Sequence, residues 1–295
     1  MDNYSRIKFF LSVSFISISL STSSLASMHE FETISLKSRA GSGSAVKSIE
    51  ESGFLNPATQ AFMQSSSLYY QRDSFTKAEN DQSSIKNYSN AFLASDTRGG
   101  SSASISYIDQ KEGLSSRKRF GLAAAFLIRP QTALGYSIRY SKDQLTSLGS
   151  TQTSKYYQSV IGLSEQVDSD LSTALTFYDV FKSKARETKA IWGMNYDLAQ
   201  FVSLNSDLAF YYAEKDFFSK HIWSGSFEFK ILDDFILRIG AFNNRFTGER
   251  GEGIGLTWAA PRFSLDFGIK NTRNQVSNNL LKNKEAGFSI SMRGL

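Results

Sequence analysis

The chain has 295 residues, no cysteine, only 3 prolines, 14% aromatic residues and a formal net charge of +5. Absence of cysteine excludes disulfide frameworks, thiolate catalysis and lipid attachment at an N-terminal cysteine. Beyond the N-terminus no stretch approaches the roughly 20 apolar residues of a spanning helix, and the basic residues are scattered, with no compact cluster of the kind that binds nucleic acid.

Residues 1–26 have the three parts of a secretory signal. Arg6 and Lys8 precede an apolar, serine-rich run from Phe9 to Leu20, and a polar stretch ends at Ser24-Leu25-Ala26, which predicts cleavage after Ala26. Residues 27–64 show no alternation. They contain Arg39-Ala40-Gly41-Ser42-Gly43-Ser44-Ala45 and, further on, Asn56-Pro57-Ala58. Glycine and serine let a backbone lie close against a wall, and Asn-Pro fixes a turn. Gly41-Ser42-Gly43 lacks the G-x-x-x-x-G-K spacing of a phosphate loop.

From residue 65 to 295 the sequence becomes a train of short alternating segments. Strands are predicted at 66–76, 84–95, 100–110, 118–129, 133–143, 153–165, 170–181, 188–198, 201–212, 220–231, 234–244, 252–259, 262–271 and 284–294. Period two is clearest where Phe263, Leu265, Phe267 and Ile269 face Ser264, Asp266, Gly268 and Lys270. In each such segment the second face carries serine, glycine, asparagine and charge. That pattern specifies an all-β, transmembrane antiparallel barrel of about fourteen strands, with lipid outside and a polar lumen inside. Links alternate between tight turns and longer loops, the latter expected at 77–83, 144–152, 213–219, 245–251 and 272–283. Short turns belong on the periplasmic side, together with both chain ends.

The run beginning Arg39-Ala40-Gly41-Ser42-Gly43, followed by Asn56-Pro57-Ala58, resembles the N-terminal hatch of the long-chain fatty acid transporter family of outer-membrane barrels. The resemblance implies a fourteen-stranded barrel with the segment 27–64 inside it as a hatch. Arg39, Gly41, Gly43, Asn56, Pro57 and Ala58 would then gate a path for hydrophobic substrates. The chain departs from the pattern at Thr59, where the family usually has glycine, and it is shorter than typical members. In the last strand Glu285, Gly287, Ile290 and Met292 resemble the signal read by the barrel assembly machinery, which with outer-membrane lipids is an expected partner.

Parity places Arg119, Arg129, Arg139, Lys189, Lys230, Arg238 and Lys270 inward, against Asp197, Asp207, Glu228 and Asp266. A mildly basic lumen follows, with Arg119, Arg139 and Arg238 as candidate polar contacts for a ligand. The two histidines, His29 and His221, fall in no cluster with metal-ligand spacing, and the sequence points to no catalytic residue, metal or cofactor. The expected function is passive uptake of a small hydrophobic or amphipathic compound across the outer membrane. A structural or assembly barrel and a general porin are the alternatives.

Overall fold

The computed structural model describes residues 28–77, 87–147, 150–184, 187–198, 200–214, 219–276 and 279–294. The expected signal segment 1–26, and most of the loops expected at 77–83 and 213–219, lie outside these residues.

Fourteen antiparallel strands form one closed barrel. They are β1 (Ser66–Lys77), β2 (Asn87–Asp96), β3 (Ser101–Glu112), β4 (Ser115–Arg129), β5 (Thr132–Ser147), β6 (Ser150–Gln166), β7 (Leu171–Tyr178), β8 (Lys189–Asp197), β9 (Val202–Phe210), β10 (His221–Leu232), β11 (Phe235–Asn244), β12 (Glu249–Ala259), β13 (Phe263–Val276) and β14 (Asn279–Arg293). Each overlaps a strand expected from alternation. Closure runs from Ser67 opposite Arg293 to Lys77 opposite Asn283, so the barrel has no free sheet edge at its seam.

The two faces of the wall obey the parity rule. On β3 and β4, Ser102, Ser104, Ser106, Arg117 and Arg119 are buried inward, whereas Ile105, Tyr107, Phe120, Leu122 and Phe126 are exposed outward. Trp192, Ile254, Leu256, Phe267 and Phe288 continue the outward apolar belt around the barrel. This inversion of a soluble protein's pattern suits hydrocarbon on the outside.

Two expected loops are strands. Pairing between β5 and β6 continues through Thr146–Thr151 to Ser147–Ser150, and between β13 and β14 it runs up to Val276–Asn279. Beyond the membrane a strand can be polar on both faces, so loss of alternation there does not mark a strand end. The opposite error occurs at β7, expected to reach 181, which stops at Tyr178 because Asp179 adopts a φ of 54° and turns the chain out of the sheet. As a result β6 pairs with β7 only from Val160 to Gln166, and its outer half is partnered by β5 alone. Register shifts occur at Leu127/Arg129 and Lys230/Leu232, both beside turns.

Residues 28–65 run through the lumen. They form helices α1 (Ile34–Ser38) and α2 (Ile49–Phe54) and a 3₁₀ turn at Pro57–Phe62. Their backbone lies against glycines of the wall. Gly255, Gly268 and Gly287 are paired in one row across β12, β13 and β14, under Ile34 and Ser38 of α1. Gly135 and Gly162, paired across β5 and β6, lie under Asn56-Pro57-Ala58. The close approach thus depends chiefly on glycines in the strands rather than on those of the segment itself.

A side chain at one of these wall glycines is therefore expected to unseat the segment. A Cβ on Gly253 would lie 2.2 Å from the Lys37 carbonyl and 2.8 Å from that of Ser38. Gly253→Val should leave a closed barrel with heat-modifiable gel migration, yet expose Lys37 and Arg39 to trypsin. Unchanged resistance to cleavage would refute this account of the packing.

Candidate functional site: the barrel lumen

The N-terminal segment is fixed by caps and by buried charge. Thr33 caps α1 by accepting the Leu36 N–H at 3.0 Å. The helix ends in a left-handed reversal, with Ala40 at φ 52° and Gly41 at φ 93°, and the Gly41 N–H donates to the Leu36 carbonyl at 2.9 Å. That reversal keeps the Arg39 guanidinium beneath its own helix, where Nη2 donates to Ser35 Oγ and to Glu51 Oε1, each at 2.7 Å. Arg39 and Glu51 side chains are both 1% exposed, so neither has water as a substitute partner. Loss of either member of such a pair typically costs about 3–5 kcal/mol. Thr33 Oγ1 also donates to Glu51 Oε1, which ties α1 to α2.

Further along, Asp207 of β9 accepts the N–H groups of Gly43 and Ser44 at 3.0 and 2.9 Å, holding the glycine-serine turn on the wall. Asn56 acts twice. Its side-chain carbonyl accepts the Ala58 N–H at 3.1 Å and opens the 3₁₀ turn, with Pro57 in the first position, while its amide donates to the Ser44 carbonyl at 2.8 Å. Arg39, Gly41, Gly43, Asn56, Pro57 and Ala58 therefore belong to one connected segment, although Arg39 and Asn56 serve different ends of it.

At its outer end the segment is bound by carboxylates and lysines. Glu32 accepts both hydrogen bonds of Lys270, at 2.6 and 2.7 Å, and Glu30 pairs with Lys189. Lys37 joins Asp73 of β1 to Glu285 of β14, reaching the latter at 2.6 Å across the barrel seam. The His29 N–H donates to Glu112 at 3.0 Å.

The three arginines singled out from parity do not converge. Arg139 donates to the Phe54 carbonyl at 2.7 Å, touching the segment directly. Arg238 pairs with Glu228 at 2.7 Å and with Asp266 at 3.1 Å, and Glu228 in turn lies 3.5 Å from Arg39. Arg119 instead binds Ser141, Gln158 and Glu187, each at 2.8 Å. Arg129, Lys230 and Asp197 are exposed at the turn ends of their strands rather than enclosed. The expected basic excess also disappears, because Asp73, Asp143 and Glu285 face inward and were not counted, nor was Arg117. Arg117 lies one alternation step outward from Arg119 and Asp143 two steps outward from Arg139, past Ser141, so parity alone finds both. In the last strand, Gly287 and Glu285 face α1 and Lys37, while Met292 is exposed on the outer surface.

Glu187 reaches the lumen from the β7–β8 connection, which sequence alternation had not marked as a long loop. Asp179 caps that connection, accepting the Lys184 N–H at 2.7 Å and the Thr188 hydroxyl at 3.0 Å. Glu187 then crosses to β4 and pairs with Arg117 at 2.9 Å and Arg119 at 2.8 Å.

Above the segment lies a cavity of about 1130 Å³. One wall carries Arg117, Asp143, Lys184 and Glu187; the other carries Ile191, Ala209, Tyr211, Ile222, Phe242 and Phe246. The apolar side continues downward, since Ile191 and Ala209 pack in one cluster with Tyr178, Val160, Leu36 and Leu55. An apolar strip thus leads from the outer cavity to the segment, and a second apolar cluster, with Phe31, Ile49 and Phe54 against Tyr69, Leu93 and Ile108, packs the segment on β1, β2 and β3.

A closed barrel with an apolar belt outside and charge enclosed within defines a β-barrel protein of the outer membrane. No protein-family model and no curated protein sequence matches the chain. Among solved structures the barrel is similar to the toluene transporter TbuX of Ralstonia pickettii, with a TM-score of 0.71 and 11% identity over 90% of this chain and 99% of that one. It is similar to the toluene transporter TodX of Pseudomonas putida, with a TM-score of 0.65 and 11% identity over 90% of this chain and 98% of that one. A FadL homologue of Pseudomonas aeruginosa matches with a TM-score of 0.63 and 8% identity over 90% of this chain and 99% of that one. The fold is therefore that of the FadL-type outer-membrane channels.

The Glu187 contact sets a pH expectation. Burial acts to raise its carboxyl pKa, but the Arg119 and Arg117 guanidiniums outweigh this and hold it well below the ordinary 4.5. The tie is fully present above 4.5 and is lost only as pH falls through the depressed value. Amide exchange at residues 179–184, 187 and 188, corrected for intrinsic rate, should stay flat from neutral pH down to 4.5, whereas Glu187→Gln should raise it several-fold at neutral pH. A wild-type rise above that value would contradict the pairing.

Proposed function

We propose that the barrel is a passive, energy-independent channel for small hydrophobic or amphipathic compounds, with residues 27–64 as its hatch. The observation that carries this reading is the apolar strip from Phe246 and Tyr211 through Ile191 and Ala209 to Leu36 and Leu55, which leads from the outer cavity to the segment. A general porin has no use for such a strip and no room for a segment that fills its lumen. The likeness in fold to structures described as toluene transporters supports the same reading.

In this scheme a compound collects in the outer cavity against Phe242, Phe246 and Tyr211 and moves down the strip as the segment shifts. Arg39 and Asn56 hold the closed form, and Arg139, through the Phe54 carbonyl, links the wall to it. Arg119 and Arg238 set the polar border of the path through Glu187 and Glu228. Ladder pairing around the lower half of the wall favours release along the lumen toward the periplasm rather than sideways. No turnover chemistry is involved.

The test is uptake of a radiolabelled aromatic hydrocarbon and of a small sugar by cells whose outer membrane carries the protein, with an empty-vector baseline. Hydrocarbon uptake above baseline without sugar uptake is expected, and Ala209→Trp should reduce it at least tenfold by filling the strip. Sugar passage through the intact protein would identify a porin instead. Passage of neither solute until residues 27–64 are deleted would identify a sealed structural barrel.

A further inference from the structure

The outer surface carries a charge pattern that the channel reading does not use. Lys118 of β4 is directly opposite Lys142 of β5, and Lys142 is directly opposite Lys155 of β6. All three share the outward parity of Phe120, Tyr140 and Tyr157, which form the next row toward the membrane centre and are themselves paired in register. Phe120 and Tyr157 are exposed, and the Tyr140 and Tyr157 rings stand 5.1 Å apart. Directly opposed residues on neighbouring strands have Cβ atoms about 5 Å apart, so three ammonium groups fall within a patch on the order of 10 Å long. None of the three takes part in an ion pair with a carboxylate among the described residues; Asp109, opposite Lys118 on β3, forms none with them.

Like charges placed directly opposite one another oppose sheet formation, and among the described residues Asp109, opposite Lys118, is the only carboxylate in that row, which leaves an excess of two cations. Their level on the barrel supplies the partner. Below them β4 presents Phe120, Leu122, Ala124, Phe126 and Ile128 outward, and only at Arg129 does charge return. Eight residues of a strand tilted about 40° rise roughly 20 Å, close to the apolar band of such barrels. The aromatic row is thus the outer girdle, and the lysines stand one step beyond it at head-group level. They lie at the end opposite the start of β1 and the end of β14, where the longest connections, β1–β2, β7–β8 and β9–β10, also lie, which is the external leaflet.

We propose that Lys118, Lys142 and Lys155 form a binding site for the phosphate groups of an outer-leaflet glycolipid, with Phe120, Tyr140 and Tyr157 packing against its upper acyl segments. The site is independent of what the lumen carries. Three cations in a row suit a head group bearing more than one phosphate, and their high position selects the glycolipid of the external leaflet over phospholipid of the inner one.

The experiment is native mass spectrometry of the folded full-length barrel extracted from nanodiscs of phosphatidylcholine doped with diphosphorylated lipid A, with enzymatically dephosphorylated lipid A, or with phosphatidylglycerol. Wild type should retain diphosphorylated lipid A. The triple variant K118Q/K142Q/K155Q should lose at least tenfold in retention, and the triple arginine variant should keep it. In lipid-free detergent the glutamine variant should melt no lower than wild type, because its repulsion is relieved and nothing buried has changed. Equal retention by the glutamine variant, or equal retention of the dephosphorylated lipid, would overturn the site. Retention of phosphatidylglycerol as strong as that of lipid A would overturn the glycolipid as its occupant.

Discussion

Within hydrocarbon, every backbone N–H and C=O must find its partner in the protein, and this chain meets that demand by pairing its last strand with its first. The β1–β14 ladder converts a sheet with two open edges into a wall with none at that seam. Closure then dictates the rest. Outward positions must be apolar, inward positions are sheltered from lipid, and any charge placed inward is enclosed in a space where water is scarce and partners are obligatory. The lumenal ion pairs follow from that enclosure.

The seam is also where the wall and its contents meet. Lys37, carried by α1, bridges Asp73 on β1 and Glu285 on β14, so the first and last strands share a cation supplied by the N-terminal segment. Beside it the glycine row of β12, β13 and β14 admits the helix backbone. The segment and the barrel therefore fit as complementary surfaces. Glycines provide the contact area, and the pairs Lys189–Glu30, Lys270–Glu32 and Lys37–Glu285 supply orientation.

The uneven rim separates two jobs. Strands β4, β5 and β6 rise high and carry the lysine row on their outer face, while β7, β8 and β9 are short and yield to a connection that folds inward as far as Arg117 and Arg119. The tall side is suited to contact with the leaflet around it. The low side borders the cavity and its apolar wall, where Ile191, Ala209 and Ile222 face the lumen.

The barrel, its strand order and the face that side chains take within the hydrocarbon were legible in the sequence, with the strand count bounded at twelve to fourteen, because a period of two is a local property that lipid enforces there; Arg129, Lys230 and Asp197, beyond it, are exposed rather than inward. Residues 144–147, 150–152, 272–276 and 279–283, expected as loop, are strand for the same reason: once past the hydrocarbon, no solvent difference remains to write a pattern. The run from Arg39 to Ala58 stood out by composition and by its likeness to a known hatch, and Arg139 and Arg238 were correctly turned inward by parity. Which carboxylate each would meet was not legible. The pairs Arg119–Glu187 and Lys37–Glu285 join residues far apart along the chain, 68 and 248 positions respectively. Pairing across a closed barrel depends on register and on the path of the enclosed segment, and neither is encoded within any one strand. Tertiary structure alone decided those partners, the single long row formed by Lys118, Lys142 and Lys155, and the apolar strip through the lumen, because each is made of residues that become neighbours only when the sheet is in register.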